Sequence, residues 1–285
     1  MAPIRFALGA QPTFAALKAS ATLPNGAAVE WPAISPIHRA FALMARAQAY
    51  DLCEMAIVTA VQAVAYGKPI IVLPATVASR AQHRCLIRLT ARPEVTPETL
   101  RGGRIGVRAY TQTTGMWVRA ILAETHGVAA HEVRWTTQEG AHVAEYDDPP
   151  QVVRAPESAS LLEMLDAGKL DAVILGNDLP DDPRYSPVIP DPAAAATAWA
   201  AKHGIPQVNH LVVARQDFAE AHPDDLRAAY AALRDAAGGS SALPFGAALE
   251  PALAVVLATC LDQGLLPRAL SVAEVLAPAR RILGQ

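Results

Sequence analysis

Short apolar runs alternate along this chain with segments whose apolar residues recur at helical spacing. Ile105 to Val107 has the character of a buried strand, and Met116, Trp117 and Ile121 then mark a helix period that starts near Thr114. Repetition of this unit is typical of an α/β protein with a mostly parallel sheet.

The pattern predicts the following elements. Strands are expected at Ile4 to Leu8, Ala28 to Trp31, Leu52 to Met55, Ile70 to Leu73, Arg84 to Leu89, Arg104 to Val107, Val133 to Thr136, Ala172 to Leu175, Val188 to Ile189 and Asn209 to Ala214. Helices are expected at Ile37 to Arg46, Ile57 to Tyr66, Gly115 to His126, Ala159 to Ala167, Ala193 to His203, Pro223 to Ala237, Ala247 to Gln263 and Val272 to Leu276.

Composition breaks at the turn cluster Ala91 to Pro97 and again just before Val208. We interpret these breaks as paired crossings between two domains, with residues 1–92 and 207–285 in the first and an inserted domain at 93–206. Ligands of such folds bind in the crevice at the carboxyl ends of the strands, which predicts a cleft between the domains. Residues 138–157 are rich in Gly, Asp and Pro and are expected to form an irregular loop.

The 285 residues carry a net charge of −3 and can bury a large core. A net charge of this sign and size does not favour binding to nucleic acid or to a membrane surface. No apolar run reaches the roughly 18 residues needed for a membrane span. The three cysteines follow no Cys-x-x-Cys pattern, and no export signal is visible at Met1 to Gly9, so we expect a cytoplasmic protein. The sequence is compatible with a homo-oligomer.

A candidate anion site follows the strand that ends at Val107. The next residues include the hydroxyls of Thr111, Thr113 and Thr114, and a helix begins there. Free N–H groups at a helix start, together with these hydroxyls, suit a negatively charged ligand. The alternative is that the threonines only cap a surface helix.

Three further candidates lie in the predicted first domain. Glu54 ends a short strand just before a helix, where a carboxylate either takes part in chemistry or only favours the helix start. Arg80, His83 and Arg84 form a basic cluster that suits a dianionic ligand, or a solvated loop. His210 lies inside an apolar strand, as either a catalytic or a core histidine.

Asn177 and Asp178 follow a predicted strand and are expected to face the cleft, unless they only form a polar turn. Other motif classes are absent: no Gly-x-Gly-x-x-Gly, phosphate loop or Gly-x-Ser-x-Gly elbow occurs. His126, His131 and His142 have no recognised ligand spacing, so we expect no metal site.

Six segments together resemble one known family. They are Thr99 to Leu122, the Leu-Pro-Phe-Gly at 243–246, Gln263 to Pro278 with its Leu-Pro-Arg-Ala-Leu-Ser, Tyr50 to Met55, Leu73 to Cys85 and Gly204 to Val213. The chain resembles the 4,5-dihydroxyphthalate decarboxylases, which implies a type II periplasmic-binding-protein-like fold of two domains with a ligand cleft between them.

The resemblance implies decarboxylation of a hydroxylated aromatic carboxylic acid, by protonation of the ring carbon, without an organic cofactor. The candidate residues supply each part that this reaction needs, with the loop at Thr111 to Thr114, Arg108 and Arg80 as a clamp for a carboxylate. Glu54 is then the acceptor for the phenol and either His210 or His83 is the acid. The alternative is a non-catalytic protein of the substrate-binding type that captures a small carboxylate.

One loop departs from the family pattern. Family members tend to carry an acidic, tyrosine-containing loop after the first strand, whereas this chain has Gly-Ala-Gln-Pro-Thr-Phe at 9–14. We expect Pro12 and Phe14 to add apolar surface to the site and to disfavour catechol hydroxyls.

Replacing Thr113 and Thr114 together with alanine is expected to weaken binding of an aromatic dicarboxylate by about 1 kcal/mol or more. Each charge-assisted hydrogen bond contributes about 1.5 to 3 kcal/mol. Calorimetric titration measures the change in affinity. An unaltered affinity would show that these threonines do not bind the carboxylate.

Overall fold

The computed structural model describes residues 2–156, 159–177 and 179–285. Its strands are β1 Ile4–Ala7, β2 Val29–Glu30, β3 Leu52–Ala56, β4 Ile70–Ser79, β5 Leu86–Leu89, β6 Arg104–Val107, β7 Arg134–Thr137, β8 Val152–Arg154, β9 Ala172–Ile174, β10 Tyr185–Pro187 and β11 Val208–Arg215. Its α-helices are α1 Ala15–Lys18, α2 Arg39–Ala47, α3 Ile57–Ala65, α4 Thr113–His126, α5 Leu161–Asp166, α6 Pro192–His203, α7 Gln216–Ala221, α8 Pro223–Ala237, α9 Glu250–Asp262 and α10 Val272–Leu283.

The chain divides into two compact units. The first comprises residues 1–80, 142–145 and 208–285, and the second comprises 81–141 and 146–207. This division differs from the expected one at 92/93, because β5 pairs with β9 and β10 in the sheet of the second unit. It also differs at residues 142–145, which belong to the first unit.

The sheet of the first unit has the order β2–β1–β3–β11–β4. Strand β1 runs parallel to β2 and β3, whereas β11 lies antiparallel between β3 and β4. One face of this sheet carries Phe6, Leu52 and Val212, which pack with residues of α8 and α10 in a buried core.

The second unit repeats this arrangement with different strands. Its sheet has the order β10–β5–β9–β6–β7–β8. The strands β6, β7 and β9 are parallel, and β5 lies antiparallel between β9 and β10. In both units, the antiparallel strand is therefore the one next to an edge.

Tertiary packing changed several of the predicted elements. The strand expected to end at Leu73 continues through Pro74 to Ser79, and the ladder between β4 and β11 contains the register shifts at which a proline is tolerated. Helix α10 runs past its expected end at Leu276 and through Pro278, since its apolar face is buried.

Two other expectations were wrong. Residues 152–154, expected in an irregular loop, form the edge strand β8 beside β7. The strand expected at Val188 to Ile189 lies instead at Tyr185–Pro187, where it pairs with β5. Over the described residues, helices are either too short or too polar to cross a membrane.

Gly106 in β6 permits close packing in the second unit. A Cβ atom at this position would lie 2.6 Å from Leu170 Cδ1 and 2.9 Å from Leu161 Cδ2, and both leucines are in the core of this unit. The position therefore excludes even a methyl group unless the core shifts.

We expect Gly106→Ala to lower the free energy of unfolding by about 1 to 3 kcal/mol, the usual cost of overpacking a core. Urea denaturation measures this change. Gly140→Ala is the matched control, because its nearest neighbour, Arg154 Nη2, would lie at an ordinary 3.6 Å. Equal stability of both variants would contradict the packing argument.

Candidate functional site

Strand register brings Glu54 and His210 together in the first unit. In the antiparallel pair of β3 and β11, Glu54 lies opposite Val212, and His210 lies opposite Ala56. Residues two apart on a strand point to the same face, so Glu54 and His210 are diagonal neighbours on one face. Their side chains meet with His210 Nδ1 2.6 Å from Glu54 Oε1.

Three donors surround the Glu54 carboxylate. His210 Nδ1 and Gln11 Nε2, at 2.7 Å, both bond Oε1, while the Gly9 backbone N–H donates to Oε2 at 2.7 Å. The Glu54 side chain is 0% exposed. A buried carboxylate is costly unless it is hydrogen-bonded, and here both oxygens have donors.

These donors determine the charge of Glu54. Burial acts to raise its pKa, but the hydrogen bond and the charge of His210, followed by the bonds from Gln11 and Gly9, outweigh it and lower the pKa below its ordinary value. Glu54 is therefore ionised near neutral pH and accepts the proton of His210 Nδ1 in its hydrogen bond. This fixes the orientation of the ring and leaves Nε2 on its opposite edge.

An aromatic contact holds the other side of His210. The Phe41 ring meets the His210 ring edge-on at 5.2 Å and the His142 ring edge-on at 5.8 Å. His142 Nδ1 in turn lies 2.9 Å from Thr59 Oγ1. The His210 side chain keeps 23% exposure, so it is the accessible member of the pair.

The loop after β1 contributes hydrogen-bond donors to this pair, from Gly9 and Gln11. Phe14, expected to line the site, is fully buried in the core of the first unit, so that expectation was wrong. Gly9 comes so near Glu54 that a Cβ atom would lie 2.8 Å from Oε2. Lys18 Nζ stabilises the loop by donating to the carbonyls of Leu8 and Gly9, at 2.6 and 3.0 Å.

In the second unit, the predicted threonine loop lies at the start of α4. Thr111, Thr113 and Thr114 are all buried. The N-cap residue Gln112 makes no side-chain cap hydrogen bond. The buried guanidinium of Arg119 donates to the Tyr110 carbonyl at 2.8 Å and lies 4.1 Å from the centre of the Tyr110 ring.

The remaining predicted ligand residues are more solvated. Arg84 and Asn177 are exposed, Arg80 is half-buried directly after β4, and Asp178 lies outside the described residues. Arg108 is half-buried and pairs with Glu139 at 2.9 Å.

His83, the second candidate acid, is in the second unit and lines a cavity there with Trp199 and Lys202. Burial, and next the charge of His126, lower the pKa of His83 below its ordinary value. Protonated His83 is therefore scarce near neutral pH.

Metal binding and thiol chemistry find little support at this site. Within the described ranges, no three His, Cys, Asp or Glu side chains are grouped to hold a metal ion. Cys53 precedes Glu54, but burial first and the charge of Glu54 second raise its pKa well above the ordinary value, so the thiol stays neutral.

The solved structures that resemble this chain define its fold. A putative periplasmic sulfonate-binding protein from Methylobacillus flagellatus matches 100% of this chain and 94% of its own, with a TM-score of 0.57 and 12% identity. The chain therefore has the α/β fold of the periplasmic binding proteins, which confirms the predicted fold class. No protein-family model matches the chain.

The similar curated proteins are two 4,5-dihydroxyphthalate decarboxylases, which confirms the resemblance. That of Comamonas testosteroni is 28% identical over 193 residues, covering 61% of this chain and 56% of the relative. That of Pseudomonas putida is 32% identical over 163 residues, covering 53% and 63% respectively. The chain thus matches less than two thirds of the length of either relative.

Sequence reasoning missed Gly9, Gln11, Phe41 and His142 as neighbours of the Glu54–His210 pair. The available signal was the loop after β1, because the carboxyl ends of parallel strands β1 and β3 lie side by side. For Phe41 and His142 we find no comparable signal in the sequence.

Glu54→Gln is expected to lower the free energy of unfolding at neutral pH by about 1 to 3 kcal/mol, because it removes a hydrogen-bonded charge. Since folding lowers the pKa of Glu54, its contribution is complete above the ordinary carboxyl value of about 4.3 and is lost as the pH falls through the lowered value. The difference between wild type and variant should therefore shrink in acid. Urea denaturation from neutral pH down to about pH 3 measures it.

Glu30→Gln is the control, because this carboxylate is half exposed in its pair with Arg5 and should change stability by about 0.5 kcal/mol or less at neutral pH. If the difference in free energy of unfolding between wild type and Glu54→Gln does not vary with pH, Glu54 is not the ionised, hydrogen-bonded carboxylate described above.

Proposed function

We propose that this protein is a cofactor-independent decarboxylase of a hydroxylated aromatic carboxylic acid similar to 4,5-dihydroxyphthalate. The observation that carries the proposal is the buried Glu54 carboxylate bonded to the partly exposed His210. The similarity to two curated decarboxylases supports the choice of reaction.

The chemistry needs few groups. In 4,5-dihydroxyphthalate each carboxylate is para to a hydroxyl, so the phenol oxygen can push electron density onto the carbon that bears the carboxylate. Proton transfer to that carbon forms a C–H bond and gives a dienone. The C–C bond to the carboxylate then breaks, carbon dioxide leaves, and the bonding electrons restore the aromatic ring. The phenol hydroxyl releases its proton to water as the dienone forms and takes one back when the aromatic ring is restored, so the net reaction consumes one proton.

His210 is the proton donor in this proposal. With Nδ1 bonded to Glu54, its Nε2 is the nitrogen that exchanges the proton with the ring carbon. Glu54 orients the ring and is a positioning residue. Its two oxygens are already bonded and fully buried, so we no longer assign it as the acceptor for the phenol.

We propose a carboxylate-binding site within the second unit, at the start of α4, with Thr111, Thr113 and Thr114. Buried hydroxyls beside backbone N–H groups that no N-cap side chain occupies support this assignment. Arg80 is retained as a second cationic candidate, whereas Arg84, Arg108 and Asn177 are weaker candidates because they are exposed or ion-paired.

The second candidate function is capture of a small anion without chemistry. It is favoured by the fold shared with a sulfonate-binding protein, and it would use the same threonine loop. We propose a cytoplasmic location with either function, supported by three buried thiols without a disulfide, and cell fractionation tests it.

Glu54→Gln and His210→Asn are each expected to lower turnover of 4,5-dihydroxyphthalate by about a hundredfold, because each disrupts the proton transfer. The release of carbon dioxide and of 3,4-dihydroxybenzoate measures turnover. His131→Asn, at an exposed position in the second unit, is the matched control and should leave the rate unchanged.

Wild-type protein that binds the dicarboxylate but releases no carbon dioxide would favour the anion-binding function. Full turnover by His210→Asn would remove His210 as the proton donor. Melting curves of each variant separate a loss of rate from a loss of folding.

A further inference from the structure

We propose that Phe41 and His142 are positioning residues for His210, which keep its Nε2 in one place while Nδ1 stays bonded to Glu54. The inference rests on the proposed function for its effect on turnover, whereas its effect on the His210 ring is measured without any substrate. All four residues belong to the first unit, which includes residues 142–145.

One hydrogen bond does not fix the ring of His210. Its Nδ1 lies 2.6 Å from Glu54 Oε1, and the ring can still pivot about this single contact. The His210 side chain is also 23% exposed, so its surroundings do not enclose it. A pivot displaces Nε2, the nitrogen proposed to exchange a proton, and a displacement of about 1 Å can cost a reaction about a hundredfold in rate. Proton transfer therefore needs a second contact that restrains the ring.

Phe41 supplies a second contact with the His210 ring. The two ring centroids are 5.2 Å apart and the ring planes are at 84°. This separation lies within the roughly 4.5 to 7 Å of favourable perpendicular aromatic pairs. Phe41 is 1% exposed, on the buried face of α2 that also carries Met44. Because the phenyl ring is held in the core, it can restrain the more exposed imidazole.

His142 packs against the same phenyl ring. Its ring centroid lies 5.8 Å from that of Phe41, again with the ring planes at 84°. His142 Nδ1 lies 2.9 Å from Thr59 Oγ1 in the first turn of α3, and Arg46 Nε of α2 donates to the His142 carbonyl at 2.8 Å. Both the ring and the backbone of His142 are therefore fixed to the helices that precede and follow β3.

The rest of the segment 142–145 is anchored as well. Val143 is fully buried, and Lys68 Nζ donates to Glu145 Oε1. The segment is thus held to the first unit at both of its ends, although the residues on either side of it in the sequence belong to the second unit. A segment anchored in this way gives the Phe41 ring a fixed neighbour, which is what a positioning role requires.

Exchange of the His210 Nδ1–H proton with water tests the positioning. The exchange rate is measured in protein labelled with ¹⁵N-histidine, for wild type, Phe41→Leu and the matched control Phe218→Leu. Phe218 is also buried in the core of the first unit, where its ring contacts His222, so the control removes the same volume from the same unit. The values of kcat and KM for 4,5-dihydroxyphthalate are measured on the same samples.

We expect Phe41→Leu to speed this exchange and to lower kcat, each by about tenfold, with KM unchanged, because a pivoting ring leaves Glu54 more often and misplaces Nε2. Phe218→Leu should change neither quantity, although it removes as much of the core. His142→Ala should act like Phe41→Leu to a smaller degree. His142→Phe, which keeps a ring against Phe41, should restore the exchange rate and kcat.

A wild-type exchange rate in Phe41→Leu would overturn the proposal. So would an equal acceleration in Phe218→Leu, or a His142→Phe variant that exchanges as fast as His142→Ala. His142 is only half-buried, so its variants keep the test decisive where Phe41→Leu fails to fold. Wild-type protein that releases no carbon dioxide would remove the proposed function, while proton exchange would still decide whether Phe41 and His142 position His210.

Discussion

The buried carboxylate of Glu54 is the constraint on which the candidate site depends. Its charge is stable inside the first unit because His210, Gln11 and Gly9 all donate to it. That requirement explains why position 9 lacks a side chain, because the carboxylate oxygen would lie 2.8 Å from a Cβ atom there. The contact also depends on the register of β3 and β11, since a shift by one residue would move His210 to the other face.

Sequence analysis gave both Glu54 and His210 a direct role toward the substrate, whereas the structure places them in different surroundings. A fully buried, fully bonded carboxylate orients its neighbour and is poorly suited to meet a ligand, whereas the partly exposed imidazole is suited to do so. The division of labour resembles that of other histidine–carboxylate pairs, in which the acid fixes tautomer and orientation. The second unit, with its buried threonines at the start of α4, offers groups of a different kind that are suited to an anion.

Local sequence patterns predicted those elements whose ends are set by hydrophobic periodicity and helix capping. Strand β6 and helix α8 have the bounds that periodicity and capping signals gave, and α4 begins within two residues of its expected start. The edge strand β8 and the continuation of α10 through Pro278 depend on tertiary packing, which overrode turn and proline signals. Glu54 and His210 could be selected individually, but their contact spans 156 positions and follows from strand register. Gln11 lies in the loop after β1, whose place beside the end of β3 was the signal that could have pointed to it.

The tautomer of His210 tests the central claim most directly. In ¹⁵N-histidine spectra at neutral pH, the account predicts a His210 Nδ1–H proton shifted far downfield by its bond to Glu54, and loss of that signal in Glu54→Gln while the His131 signals remain unchanged. A His210 ring that carries its proton only on Nε2, or a Nδ1–H signal that is the same in Glu54→Gln, would contradict it.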